Sequence, residues 1–187
     1  MKIDNFDLML LILYGSTKKK ISGRLKLAKL LFIASREIFI PNVEIESSEF
    51  IPYKQGPYPV DFNDIIELGQ EQNLIRVEDN EFQLTPEGNR IVEEVFSSSP
   101  EGRELIRQIV QTVRKFENVS DDIILPYVYM KYPGFTTKSE IRDYVISKIK
   151  KELYSFVKLS SELGVTEDEI DQTLKEVRLK TLKKIYG

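Results

Sequence analysis

The feature that most restricts this chain's fold is the apolar run from Leu8 to Tyr14. It is closed on one side by Asp7 and on the other by Gly15-Ser16-Thr17 and the basic triplet Lys18-Lys19-Lys20. No apolar run in the sequence is longer. At about 1.5 Å per residue it falls well short of a hydrocarbon layer about 30 Å thick, so no segment is expected to enter a membrane. The residues before it, MKIDNFD, place acids ahead of the run, and no small-residue cleavage site follows. They do not read as a signal peptide, and the cytoplasm is the expected compartment. The run predicts a helix from Phe6 to Tyr14 in a globular domain, stopped by the glycine.

A second helix is expected from Ser22 or Gly23 to about Ile38, where Leu27, Ala28, Leu31, Ala34 and Ile38 share one face and Lys26, Lys29 and Arg36 fall opposite. Residues 42–58 read as irregular, with a short strand at Glu49 to Tyr53 and a turn at Gly56-Pro57. Pro59 suits the first position of a third helix running to about Gln72, with Phe62, Ile65, Ile66 and Leu68 on its apolar side. Leu74 to Val77 and Glu81 to Leu84 flank the polar turn Glu78-Asp79-Asn80 and predict a hairpin. Thr85-Pro86-Glu87-Gly88 then opens a fourth helix through Ile91, Val92 and Val95.

Helix, helix, strand, helix, hairpin, helix is the order of a winged helix. The stretches LKLAKLLFIASRE, PYKQGPYPVDFNDIIELGQEQNLI and FQLTPEGNRIVEEVF resemble the winged-helix domain of the SocA-like antitoxins, the group called Panacea. Its members share a Lys- and Leu-rich second helix, a Tyr-x-x-Gly-Pro turn before the third, and a Leu-Thr-x-x-Gly step after the wing. The resemblance covers residues 3–97 and implies a module that contacts a toxin partner.

The remainder reads as helical. Leu105, Ile106, Ile109, Val110, Val113 and Phe116 line one helix, and Ser120 opens a second that contains Pro126. Thr137 and Glu140 have the spacing of a capping box for a third helix. LSSELGVTEDEIDQT has the form of a second helix-turn-helix within 152–186, and the last helix, with Ile170, Leu174 and Val177, is a candidate homodimer contact. Residues 1–100 hold 11 Lys/Arg and 16 Asp/Glu, residues 101–187 hold 16 and 14, and Ser97-Ser98-Ser99-Pro100 lies at the change. The fold class is therefore mainly α: a winged helix with a small β-hairpin wing at 1–97, followed by an all-helical domain at 101–187.

There is no cysteine and no histidine. This removes the thiol nucleophile, the commonest general base and the usual zinc ligands. No Walker loop, GxGxxG or EF-hand pattern occurs, and Asp121-Asp122 and Glu93-Glu94 lack partner ligands at metal spacing. The expectation is a binding protein without cofactor or metal, not an enzyme.

Two readings of what it binds stay open. A winged helix points to double-stranded DNA and a transcriptional regulator. Contacts would be mostly to phosphate, from Lys18, Lys19, Lys20, Arg24, Lys26 and Lys29, which follow one another with no acid between. The alternative is a protein-interaction module, an antitoxin-like partner or a complex subunit. It would use the acidic third helix, with Asp61, Asp64 and Glu67, and the tyrosines Tyr53 and Tyr58 of the Gly-Pro turn.

Overall fold

Helix α1 (Asn5–Gly15) is the centre of the unit formed by residues 1–145. Asp4 caps it, accepting the Asp7 N–H at 2.8 Å while the Asp7 carboxylate accepts the Asp4 N–H. Every residue from Leu8 to Leu13 is buried, so α1 is covered on all sides rather than along one stripe. The computed structural model describes residues 1–47, 49–162, 164, 166, 168 and 172. It is mainly helical with a few small strands, and among the described residues no helix is long and apolar enough to cross a membrane.

Around α1 the chain runs as β1 (Lys2–Ile3), β2 (Lys20–Ser22), α2 (Arg24–Glu37) and β3 (Glu44–Ile45). Next come β4 (Phe50–Tyr53), β5 (Gly56–Pro59), α3 (Phe62–Glu71), β6 (Ile75–Glu78) and β7 (Glu81–Leu84). The remaining elements are α4 (Pro86–Phe96), α5 (Pro100–Phe116), α6 (Asp121–Lys131), a 3-10 turn at Pro133–Thr136 and α7 (Arg142–Glu162). Helices α2, α3, α4 and α5 and strand β7 all pack on α1.

The β6–β7 hairpin forms as expected. Asp79 and Asn80 at its tip both take positive φ, +47° and +62°, which a two-residue turn matched to the strand twist requires. The unexpected partner is β2, which pairs antiparallel with β7 and makes a three-stranded sheet in the order β2-β7-β6.

Residues 50–59 depart from the expectation. Pro59 does not begin a helix; it ends β5, which pairs antiparallel with β4 in the register Phe50–Pro59, Ile51–Tyr58, Pro52–Pro57 and Tyr53–Gly56. The Val60 N–H donates to Glu49 O at 3.1 Å, so the alternate pairs Ile51–Tyr58 and Tyr53–Gly56 carry the ladder bonds. Pro52, Pro57 and Pro59 all fall at the pairs between, where no N–H is needed. Helix α3 then starts at Phe62.

The capping box expected at Thr137 does not form either. Ser139 Oγ and the Glu140 N–H both donate to Lys54 O at 2.9 Å, which holds this segment against the β4–β5 turn and delays α7 to Arg142.

The expected division at 97–100 is not where the chain divides. The compact units are 1–145 and 146–187. Helices α5 and α6 belong to the first, because the buried side chains of α5, Leu105, Ile109 and Val113, cover α1 and those of α6, Ile124, Leu125 and Val128, cover α2. Of the second unit, the described residues are the body of α7 through Glu162 and the single residues 164, 166, 168 and 172. The second helix-turn-helix expected at 152–186 and the last helix expected to dimerise lie for the most part outside the described residues.

Candidate interaction surface

The basic cluster is not the open patch that its sequence suggests. Lys29 is 1% exposed, and its Nζ donates to Pro57 O at 2.7 Å. Burial, opposed by the Asp121 charge, lowers its pKa to about 7. The face of α2 opposite Leu27 and Leu31 is covered by β5 and α6, so this helix is enclosed on both sides.

The other cations are mostly engaged. Lys19 sits at a loop position with φ +54°; its Nζ donates to Tyr14 O at 2.6 Å and lies 3.6 Å from the centre of the Tyr14 ring. Lys20 pairs with Glu81 at 2.7 Å on the three-stranded sheet, and Ser22 Oγ donates to the same carboxylate at 2.8 Å. Those two hydrogen bonds hold the Glu81 carboxyl below its ordinary range. Lys26 Nζ reaches Glu117 O at 3.3 Å. Arg24 is exposed, but its guanidinium donates to Asn63 Oδ1 and lies over the Phe62 ring. Lys18 is exposed.

Helix α3 turns Phe62, Ile65, Ile66 and Gly69 inward. Asn63, Asp64, Glu67, Gln70 and Glu71 are exposed. Asp61 differs from its neighbours: it precedes the helix, is half-buried and accepts from Asn5 Nδ2 at 2.9 Å, which ties α3 to the start of α1. Of the three acids expected at a partner surface, Asp64 and Glu67 face outward and Asp61 serves the fold. The β6–β7 tip adds the exposed Glu78 and Asp79. It also holds the start of α2, since Asn80 accepts the Gly23 N–H on its carbonyl at 2.8 Å and the Arg24 N–H on Oδ1 at 3.2 Å.

Tyr53 and Tyr58 stand together, ring centres 5.5 Å apart. Tyr58 continues edge-on into Phe62 at 5.1 Å, so the pair joins the surface to the core beneath α3. Tyr53, at 46% exposed, is the outer member, and Tyr58 is half-buried.

A polar cluster around Glu37 was not foreseen. Its carboxylate accepts from Tyr127 Oη at 2.7 Å, Tyr132 Oη at 2.9 Å and Lys131 Nζ at 3.0 Å. Burial pushes its pKa up, but the three donors outweigh that and hold it below the ordinary range. The partners lie about ninety residues away in sequence, and no spacing rule connects them. The cluster fastens α6 to the end of α2.

No protein-family model matches the chain, and no match was found among curated proteins or solved structures.

Proposed function

We propose that the first unit carries a winged-helix module that works by binding a protein partner with a basic surface. The winged-helix reading is supported by the helix order and by the sheet order β2-β7-β6, in which the strand after the first helix joins the hairpin that follows the third. The binding reading rests on one observation. The outward face of α3 presents Asp64, Glu67 and Glu71, and no Lys or Arg occurs between Lys54 and Arg76.

Such a face repels phosphate and attracts a cationic protein surface, where complementary charge speeds encounter. A DNA-binding regulator needs phosphate contacts. Among the six basic residues considered for them, Lys29 is enclosed, Lys19, Lys20 and Lys26 are bonded within the fold, and Arg24 is held against α3. The resemblance of residues 3–97 to SocA-like antitoxins is compatible with the protein-binding reading.

The test is capture of a partner by the full chain, its identification, and reconstitution with the purified partner. Changing Asp64→Lys and Glu67→Lys together is expected to lower the association rate at low salt by about tenfold or more. A gel shift of random duplex DNA at low salt is expected to show no binding. An unchanged association rate would overturn the α3 reading. A DNA shift that weakens steeply with salt would establish the regulator instead.

A further inference from the structure

Between the β4–β5 turn and the start of α2 lies a cavity of about 350 Å³. It is bordered by Arg24, Lys29, Tyr53, Lys54, Tyr58 and Glu140, among others. That size is at the lower end for small-molecule sites, which combine aromatic walls with a few fixed polar groups. Here Tyr53 and Tyr58 supply the rings.

The charge is one-sided. Below about pH 7, where Lys29 is protonated, three cations border the cavity, and the one acid among its lining, Glu140, is paired with Lys54 at 3.6 Å. Lys29 is the unusual member. An ammonium has three N–H donors, and among the described residues Lys29 makes one hydrogen bond, to Pro57 O. A buried donor without an acceptor is costly, and an anion beside it removes that cost.

We propose that this cavity binds a small organic carboxylate with a flat apolar body, the carboxylate taken by Lys29 and Arg24 and the body by the rings of Tyr53 and Tyr58. The Lys29 ammonium has two open donors, and the Arg24 guanidinium, which gives one N–H to Asn63 Oδ1, keeps others that a carboxylate oxygen can accept. The site is distinct from the acidic face of α3, because Asp64, Glu67 and Glu71 do not border the cavity, although Arg24 touches Asn63 of that helix.

The test uses the full chain at pH 6, where Lys29 is protonated and benzoate ionised, with benzoate as probe and benzamide as its neutral isostere, followed by calorimetry and by the backbone amide signals of Gln55, Gly56 and Tyr58. Saturable millimolar binding of benzoate is expected, with benzamide weaker by about tenfold or more. Lys29→Met puts an unbranched apolar chain in the same space, and Arg24→Gln alters an exposed residue, so the second variant serves if the first disturbs the fold. Among variants that keep the wild-type far-ultraviolet spectrum, each is expected to lose about tenfold or more in benzoate affinity. The proposal is overturned if benzoate does not saturate, if benzamide binds equally well, or if the folded variants bind benzoate as the wild type does. None of these outcomes bears on capture through α3, so the two readings fail independently.

Discussion

A lysine with 1% of its surface exposed must pair its charge or shed its proton. Lys29 has one carbonyl partner, and its pKa falls from 10.5 to about 7, driven by burial and only partly offset by Asp121. The unfolded chain holds this proton up to about pH 10.5, whereas the folded chain releases it above about pH 7. Between those limits the unfolded state binds the extra proton, so stability rises with pH; below about 7 both states are protonated and the cost of the buried charge is constant. Urea unfolding of the wild type and of Lys29→Met at pH 7, 8 and 9 reads this directly. The wild type is expected to gain on the variant by about 1 kcal/mol per pH unit, and parallel profiles would show that Lys29 keeps its proton in the fold. In sequence Lys29 cannot be told from Lys26, which also lies off the Leu27–Leu31 face. Periodicity identifies one buried face of a helix and is silent on whether a second layer covers the other. Asp64 and Glu67 were legible because α3 is covered on one side only.

Two helices begin with the same chemistry. Thr85-Pro86-Glu87-Gly88 opens α4 and Ser99-Pro100-Glu101-Gly102 opens α5. In each, the hydroxyl accepts the glycine N–H at 3.0 Å, the proline takes the first position where no N–H is needed, and a glutamate lies in the first turn. The glycines are required by close backbone approach. A Cβ at Gly88 would lie 2.2 Å from Leu74 O, and one at Gly102 would lie 1.9 Å from Phe96 O. Glycine to alanine within a helix ordinarily stabilises by about 0.5–1 kcal/mol. Here the sign reverses: Gly88→Ala and Gly102→Ala are each expected to destabilise by about 1–3 kcal/mol, because the obstructing atom is main chain and cannot swing away. Urea midpoints decide it, and a variant as stable as the wild type would refute the close approach at that site. The first of these starts was legible as a helix cap. The second was submerged in a serine-rich stretch that also reads as a linker. The β4–β5 hairpin was hidden by its prolines, which look like strand breakers until the register places all three at pairs that need no N–H.

At the scale of the whole molecule, the change from an acidic to a basic half at residues 97–100 marked no boundary. Charge balance describes the surface, whereas a unit ends where apolar faces stop needing cover. Helix α1 needs cover on every side, and part of it comes from beyond residue 100: a Cβ at Gly15 would lie 3.2 Å from Ile109 Cγ2 and 3.4 Å from Val110 Cα. The buried side chains Leu105, Ile109, Val113 and Phe116 each contribute about 1.5–3 kcal/mol. Their sum is comparable with the whole stability of an ordinary domain, about 5–15 kcal/mol. A chain ended at Ser97 is therefore expected to lack a cooperative unfolding transition and to aggregate through the exposed side of α1. A chain ended at Val145 keeps α5 and α6 and is expected to melt in one sharp step with dispersed amide signals. A cooperative melt of residues 1–97 would show instead that α5 is an accessory to a self-sufficient module. Partner capture should follow the same line, because the exposed acids of α3 face outward only while Ile65 and Ile66 stay anchored in the core around α1. Capture is expected to be retained by residues 1–145 and lost by residues 1–97, even though the shorter chain contains every residue of the proposed surface.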